Sequence, residues 1–228
     1  MINNRHFCVF DFETGGKDPQ TCEILQIGST IVNKNNLTTV DEFASLVQPR
    51  NFDALEDKAL EVNGLTREQL REAPLPEVIF PAWAKWIQQH NTRADKSSWG
   101  APIPTGWGID NFDIPIFNRY CKEFGHWDEK WNSRTLMNPV FTFDVMKSIW
   151  LIGNNLPGLK NVKLVTVLEY MGMSTEEIEK GAHDASWDTK WTANVAIRYL
   201  KFMKHITSYN SASGKRRLEL KDCLKGNV

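Results

Sequence analysis

The sequence predicts an α/β fold that begins with an antiparallel meander of strands. Strand-like apolar stretches with short connections occupy the first fifth of the chain, and helical patterns dominate from residue 53 onward. The chain has 228 residues, of which 41% are hydrophobic and 24% are charged. This composition is ordinary for a soluble globular protein, and the length is sufficient for one large α/β domain.

The predicted strands come first. Residues 7–13, 23–33 and 38–47 are expected to be strands, and a turn cluster at residues 33–36 separates the last two. Their short connections favour antiparallel pairing. A fourth, short strand is expected at residues 105–108.

Helices are predicted at residues 53–63, 76–90, about 113–124, 143–151, 162–170 and 185–205. Gly64 is expected to end the first helix, and Pro81 is a potential interruption of the second. Residues 91–104 and 125–139 are expected to be irregular. The last helix is the strongest prediction, because its apolar side chains follow at spacings of four, four, four and three residues, which places them on one face; they are Trp187, Trp191, Val195, Tyr199 and Phe202.

Residues 1–207 are therefore expected to form one domain, followed by a polar, basic tail at residues 208–228. No run approaches 18 apolar residues and no secretory signal is evident, so neither a membrane span nor export is expected. The four cysteines are scattered without C-x-x-C spacing, which indicates reduced thiols and a cytoplasmic protein. Because the net charge is -1, any attraction to phosphate must be local.

Three acidic clusters are candidates for chemistry. They are DFET at residues 11–14, NFDIP at residues 111–115 and HDASWD at residues 183–188. Each has an ordinary explanation when taken singly. A strand can carry two carboxylates at a solvated end, an aspartate at a helix start is favoured by the helix dipole, and a lone histidine is more often packed or at the surface.

Taken together, the clusters predict a metal site. Asp11 and Glu13 are two residues apart on a strand and therefore point to the same face. If Asp113 and Asp188 join them, four carboxylates cannot all stay ionised without cations. Oxygen-only ligands suit Mg²⁺ or Mn²⁺, and two such ions assist in-line phosphoryl displacement. His183 then serves as a general base toward water.

The order and spacing of these residues resemble the DEDDh family of 3′→5′ exonucleases, which includes replicase proofreading subunits and RNase T. The resemblance covers roughly residues 7 to 205. DFETG at residues 11–15 resembles the first motif, EILQIG at residues 23–28 the second strand, and Phe112-Asp113 the second motif. The spacing from His183 to Asp188 is that of the h-type subgroup. Position 184 is Asp where the y-type subgroup would carry Tyr.

The resemblance implies an RNase H-like fold, a mixed five-stranded sheet with three antiparallel strands and two more, flanked by helices. It implies that Asp11, Glu13 and Asp188 hold a first Mg²⁺ or Mn²⁺ ion. Asp11 also touches a second ion, with Asp113 acting through water. His183 would deprotonate the attacking water, and the Thr14 backbone would lie near the terminal nucleotide.

The implied substrate is single-stranded nucleic acid, with DNA expected first and RNA second. The alternatives are an exoribonuclease or oligonucleotide hydrolase of the same family, and a non-catalytic nucleic-acid-binding module. A polymerase partner or a homodimer is possible but not indicated by any segment.

The sequence departs from the family in front of the second motif. The family often has His-Asn four to five residues before Asp113, and here those positions are Gly108 and Ile109. Asn63 stands where the family usually has His. Tryptophans in or near predicted loops either stack unpaired bases or pin the loops; they are Trp99, Trp107, Trp127 and Trp131. The basic tail either attracts phosphate or is a solvated terminus.

Overall fold

A computed structural model of the chain describes residues 4–208. A mixed five-stranded sheet lies at its centre, in the order β3-β2-β1-β4-β7. The first three strands are antiparallel neighbours, and β4 and β7 are parallel to β1 and β4 respectively. The predicted fold class is therefore confirmed. The strands are β1 (Phe7–Thr14), β2 (Ile24–Val32), β3 (Thr39–Leu46), β4 (Ile103–Gly106), β7 (Phe143–Asp144) and a separate two-stranded ribbon of β5 (Trp127–Asp128) and β6 (Ser133–Arg134).

Helices flank the sheet. They are α1 (Asp57–Asn63), α2 (Arg67–Glu72), α3 (Pro76–Gln89), α4 (Asp113–Glu123), α5 (Val145–Ile152), α6 (Leu164–Tyr170), α7 (Thr175–Gly181) and α8 (Ala185–Ser208). Within residues 4–208, no helix combines the length and the apolar character needed to span a membrane. The predicted tail lies outside the described residues beyond the end of α8.

Successive side chains of β1 point to opposite faces of the sheet, so its aromatic core residues and its carboxylates lie on different faces. Phe10 and Phe12 point to one face of the sheet and pack on Trp83 of α3, with ring centroids 6.1 and 5.7 Å away. Asp11 and Glu13 consequently point to the other face, the one that α8 covers. The aromatic core on one face thus fixes which way the two carboxylates point.

The predicted apolar stripe of the last helix is confirmed. Val195 is fully buried and Phe202 is 9% exposed, while the three other members of the stripe are half-buried against the same core. This core also contains Val145 and Ile149 of α5. One face of α8 therefore packs on α5, α6 and α7, and its start is left beside the sheet.

Several predicted boundaries are wrong. The fourth strand begins at Ile103, two residues early, and residues 143 and 144 are β7 where a helix start was predicted. Two paired residues are too few to show strand periodicity, and Asp144 then caps α5 by accepting the Lys147 N–H at 3.1 Å. The first helix begins at Asp57, because Asn51 caps a separate 3₁₀ turn before it. Pro81 does not interrupt α3.

Two helices, α2 and α7, were not predicted. Each begins with a capping box, formed by Thr66 with Gln69 and by Ser174 with Glu177. The motif is legible in the sequence, since a Ser or Thr followed three residues later by Glu or Gln indicates a helix start. The ribbon β5–β6 lies in the segment predicted to be irregular.

Candidate metal centre

Three of the predicted carboxylates meet at one point. Asp11, Glu13 and Asp188 each offer an oxygen atom, and these atoms all lie within 4.8 Å of one another. Asp11 and Glu13 come from the same face of β1, and Asp188 comes from the first turn of α8. Residues distant in sequence therefore form one oxygen-rich cluster, as predicted.

A missing side chain on β2 allows α8 to approach the sheet. Gly28 is the register partner of Asp11. A Cβ atom at position 28 would lie far inside van der Waals contact with the backbone carbonyl of Ala185, the first residue of α8. Glycine at this position is thus required for Asp188 to reach the strand that carries Asp11.

The same junction is held by hydrogen bonds that were not predicted. Gln26 Nε2 donates to Asp184 Oδ2 at 2.8 Å, and Gln26 Oε1 accepts the backbone N–H of Ala185 at 3.2 Å. Asp184 Oδ1 in turn accepts the backbone N–H of Trp187 at 2.9 Å, which caps the helix. Gln26 lies inside the EILQIG segment, but its function depends on a partner 158 residues away that no local pattern reveals.

Asp113 lies beside the cluster and is not one of its three members. It is the first residue of α4, is 6% exposed, and accepts the backbone N–H of Phe12 through Oδ1 at 3.2 Å. This hydrogen bond ties the second predicted motif to the strand of the first. The carboxylate charge of Asp113 raises the pKa of both Asp11 and Glu13.

Burial and repulsion from nearby carboxylates raise the pKa of all four carboxyls. Burial is the largest cause in each case. The pKa of Asp11 lies well above its ordinary value, that of Glu13 rises to about 8, that of Asp113 to about 7, and that of Asp188 to about 6. Within residues 4–208 none of the four has a Lys or Arg partner within 4.0 Å.

This donor set fits hard divalent cations. The cluster consists of carboxylate oxygens, the ligand type preferred by Mg²⁺ and Mn²⁺. Its negative charge is uncompensated by any described side chain, and bound cations would supply the compensation. The residues present therefore fit the metal requirement that the sequence predicted.

His183 lies at the rim of the same site. It is exposed, two residues before α8, and lines a cleft of about 620 Å³ whose walls also include Asp11 and Asp188. Its φ of 70° is in the left-handed region, which is uncommon for a residue other than glycine. The backbone N–H of His183 faces the Asp188 carboxylate and lowers the pKa of Asp188 against the effect of burial.

Thr14 ends β1 next to the cluster and is 8% exposed. Its hydroxyl donates to the Gly16 carbonyl at 2.9 Å, and its own carbonyl accepts from Asn63 Nδ2 at 3.1 Å. Asn63 thus retains a hydrogen bond to the motif although the family usually has His there. The predicted contact of Thr14 with a nucleotide stays a prediction.

A further acidic residue that was not predicted, Asp144, lies near Asp113. Asp144 is 7% exposed, and its charge is among the causes that raise the pKa of Asp113. Asp144 Oδ1 accepts the Gly108 N–H at 3.1 Å and also caps α5. Asp144 therefore holds the backbone of Gly108, which is one of the positions at which the sequence departs from the family.

The loop tryptophans differ in exposure. Trp107 is half-buried and its indole N–H donates to the Val162 carbonyl at 3.1 Å, which favours the interpretation that it pins a loop. Trp127 is half-buried with the Lys122 ammonium 4.5 Å from its ring centroid. Trp99 and Trp131 are 57% and 71% exposed.

Comparisons with known proteins agree with this arrangement. The profile of a family described as Exonuclease matches residues 8–97. The DNA polymerase III subunit epsilon of Aquifex aeolicus is 24% identical over 196 residues, which are 86% of this chain and 80% of that protein. The PolC-type DNA polymerase III of Thermotoga maritima is 25% identical over 200 residues, which are 88% of this chain. The chain spans only 12% of the length of that polymerase.

Solved structures share the fold. The nuclease domain of 3'hExo, a DEDDh family member solved with rAMP, superposes with a TM-score of 0.63 at 20% identity over 87% of this chain and 93% of that one. E. coli Exonuclease I in complex with a dT13 oligonucleotide superposes with a TM-score of 0.66 at 15% identity over 90% of this chain and 43% of that one.

The mixed sheet and the carboxylate cluster at the end of β1 define a nuclease domain of the RNase H-like fold. With His183 five residues before Asp188, the Exonuclease profile over residues 8–97 and the epsilon relative support a DEDDh, DnaQ-like 3′→5′ exonuclease.

Proposed function

We propose that the chain removes nucleotides from the 3′ end of single-stranded nucleic acid, releasing nucleoside 5′-monophosphates by two-metal hydrolysis. The observation that carries the proposal is the convergence of Asp11, Glu13 and Asp188, with His183 on the same cleft. DNA is the first expected substrate and RNA the second. Loss of a carboxylate or of the histidine would favour a non-catalytic binding module, and all are present.

Each residue has a role in this proposal. Asp11, Glu13 and Asp188 would hold one Mg²⁺ or Mn²⁺ ion, and Asp11, with Asp113 acting through water, would hold the second. When bound, such ions neutralise charge on the attacking and leaving oxygens of an in-line displacement. Thr14 would contact the terminal nucleotide through its backbone.

His183 handles the proton. The imidazole takes a proton from the attacking water while the water oxygen bonds to phosphorus and the bond from phosphorus to the O3′ of the preceding nucleotide breaks; the released O3′ takes up a proton from solvent water. The exposure of His183 at the cleft rim supports this role, because a base must reach water and return the proton to solvent.

The names of the relatives support DNA first. The similar curated proteins are a PolC-type DNA polymerase III and a DNA polymerase III subunit epsilon, which also supports a polymerase as a partner of this chain. The rAMP bound to the 3'hExo nuclease domain supports RNA as the alternative.

End-labelled oligonucleotides test the proposal. Single-stranded DNA and RNA, each labelled at the 5′ or the 3′ end, are incubated with the protein and Mg²⁺ or Mn²⁺. A descending ladder from the 5′ label and mononucleotides from the 3′ label are expected. Asp188→Ala should reduce cleavage to background, whereas Asp95→Ala, in an exposed loop, should leave it unchanged. Cleavage that persists in Asp188→Ala would refute the site.

A further inference from the structure

A second cavity adjoins the metal cleft. We define the upstream cleft by the residues that line this cavity of about 470 Å³: Trp150, Leu151, Gly153, Asn154, Leu159, Lys160, Asn161 and Val162. Asn161 and Val162 also line the cleft that holds Asp11, His183 and Asp188. The two cavities therefore share part of their wall in the segment between α5 and α6.

Trp150 is presented to solvent on this cleft. It is 67% exposed, and its neighbour Leu151 is 71% exposed. The packing of α5 does not require either of them, because Val145 and Ile149 supply its fully buried face. Unpaired bases stack on exposed aromatic side chains, and an indole that lies beside a cavity and is not needed for packing offers such a surface.

The charges along the two cavities are separated by sign. The metal end carries Asp11 and Asp188, and no carboxylate lines the upstream cleft among the residues that the structure describes. Lys160 lines the upstream cleft and Lys163 the joined metal cleft; both are exposed, and within residues 4–208 neither has a carboxylate within 4.0 Å. By contrast, Lys147 of α5 is paired with Asp110.

The boundary between the cavities is held in place by Trp107. Its indole N–H donates to the carbonyl of Val162, one of the two residues shared by both cavities. Lys163 N–H also donates to Asn161 Oδ1 at 2.9 Å, which fixes the turn before α6. Hydrogen bonds within the protein thus hold the wall that the two cavities share.

We propose that the upstream cleft binds the unpaired nucleotides on the 5′ side of the one being removed, with a base stacked on Trp150 and phosphates facing Lys160 and Lys163. This inference deepens the proposed function and rests on it. The wall shared with the metal cleft and the unpaired lysines favour a nucleic-acid strand over a protein segment as the occupant. A substrate too short to reach Trp150 gains nothing from it.

The test compares two exposed tryptophans. Trp150→Ala should lower kcat/KM on a single-stranded 12-nucleotide DNA by about 5-fold to 150-fold, the range of alanine substitutions at stacked bases. It should leave kcat/KM on a dinucleotide unchanged within about twofold, since the stacked base is absent there. Trp131→Ala, which removes an equally exposed indole from the β5–β6 loop, should affect neither substrate. Trp150→Phe should retain most of the activity on the long strand.

Binding measured without hydrolysis gives an independent result. Fluorescence anisotropy of the labelled 12-nucleotide strand is followed in EDTA and in Ca²⁺, with circular dichroism confirming that each variant folds. Trp150→Ala and Lys160→Gln should weaken binding, and Lys130→Gln should not. The inference would be overturned if Trp150→Ala and Trp131→Ala bound the strand with equal affinity, or if the wild-type protein bound no strand in either buffer. It would also be overturned if the protein bound an acidic peptide more tightly than the strand. If the wild-type protein binds the strand through Trp150 but cleaves no substrate, the proposed function fails and the upstream cleft stands.

Discussion

Gln26 Nε2 donates to Asp184 Oδ2 across 2.8 Å, and this contact joins β2 to the start of α8. Gln26 is the register partner of Glu13, and the capped helix carries Asp188 four residues after Asp184. The amide therefore connects the strand side of the carboxylate cluster to its helix side. Residues that orient metal ligands from outside contribute substantially to affinity and activity.

Replacing Gln26 should loosen the site without removing a ligand. Gln26→Ala deletes both hydrogen bonds to the α8 junction, so Asp188 is held less firmly against β1. We expect the Mg²⁺ concentration for half-maximal exonuclease activity to rise by about 10-fold to 100-fold. A metal titration at fixed substrate concentration measures this.

Gln26→Glu is the informative companion. Its carboxylate would face Asp184 at the same contact, and like charges repel, so its effect should be at least as large as that of Gln26→Ala. If Gln26→Ala or Gln26→Glu needed the same Mg²⁺ concentration for half-maximal activity as the wild-type protein, the junction would be positioned by packing alone.

Neutralising Glu13 should stabilise the metal-free protein at high pH. Burial first, and then repulsion from neighbouring aspartates, raises the pKa of Glu13 from 4.5 to about 8. Between these values the folded protein holds a proton that the unfolded chain has released, so the free energy of unfolding falls as pH rises through that window. Glu13→Gln has no such proton to lose. It should match the wild-type protein near pH 5 and exceed it near pH 8.5.

The expected gain is about 2 kcal/mol, or roughly 4–8 °C in Tm for a chain of this size. Thermal unfolding in EDTA at pH 5 and pH 8.5 measures it, with Glu61→Gln on the exposed face of α1 as the control. Adding Mg²⁺ at pH 8.5 should raise the Tm of the wild-type protein and not that of Glu13→Gln. A Glu13→Gln protein less stable than wild type at pH 8.5 in EDTA would contradict the electrostatic account.

Gly28 should tolerate no side chain. In Gly28→Ala the new Cβ would collide with the backbone carbonyl of Ala185, so α8 must move away from β2. We expect a loss of about 1–3 kcal/mol in unfolding free energy, as for other overpacked cores. Gly153→Ala is the control, because its Cβ meets no atom within 4 Å and its backbone is right-handed helical. Urea unfolding compares the two, and equal stabilities would show that the helix adjusts freely.

The features visible in the sequence are the local ones. Alternation along residues 7–13 predicts both β1 and the shared direction of Asp11 and Glu13, and the stripe of α8 predicts its buried face. Periodicity cannot reveal β7, because two residues contain no repeat, and its Asp144 was therefore missed as a charged neighbour of Asp113.

Contacts between distant segments are not written in any local pattern. The hydrogen bond of Gln26 to Asp184 depends on the position of α8 on the sheet. So does the need for glycine at position 28, where a Cβ atom would collide with Ala185. The convergence of Asp11, Glu13 and Asp188 was nevertheless expected, because these carboxylates and Asp113 could stay ionised at one point only beside a shared cation. The capping boxes that begin α2 and α7 can be recognised in the sequence, although these two helices were not predicted.

Replacing His183 should reduce catalysis without reducing metal binding. The best substitution is His183→Asn, because asparagine tolerates the left-handed backbone at φ 70° and keeps the N–H that faces Asp188. Loss of a general base should lower kcat by about 10²-fold to 10⁴-fold. The increase in Tm on adding Mg²⁺ should persist in His183→Asn and disappear in Asp188→Ala, since only the second variant loses a ligand. Single-turnover cleavage and thermal unfolding, each with and without Mg²⁺, measure the two effects. Wild-type kcat in His183→Asn would remove the histidine from the reaction, and a lost Tm increase would make it part of the metal site.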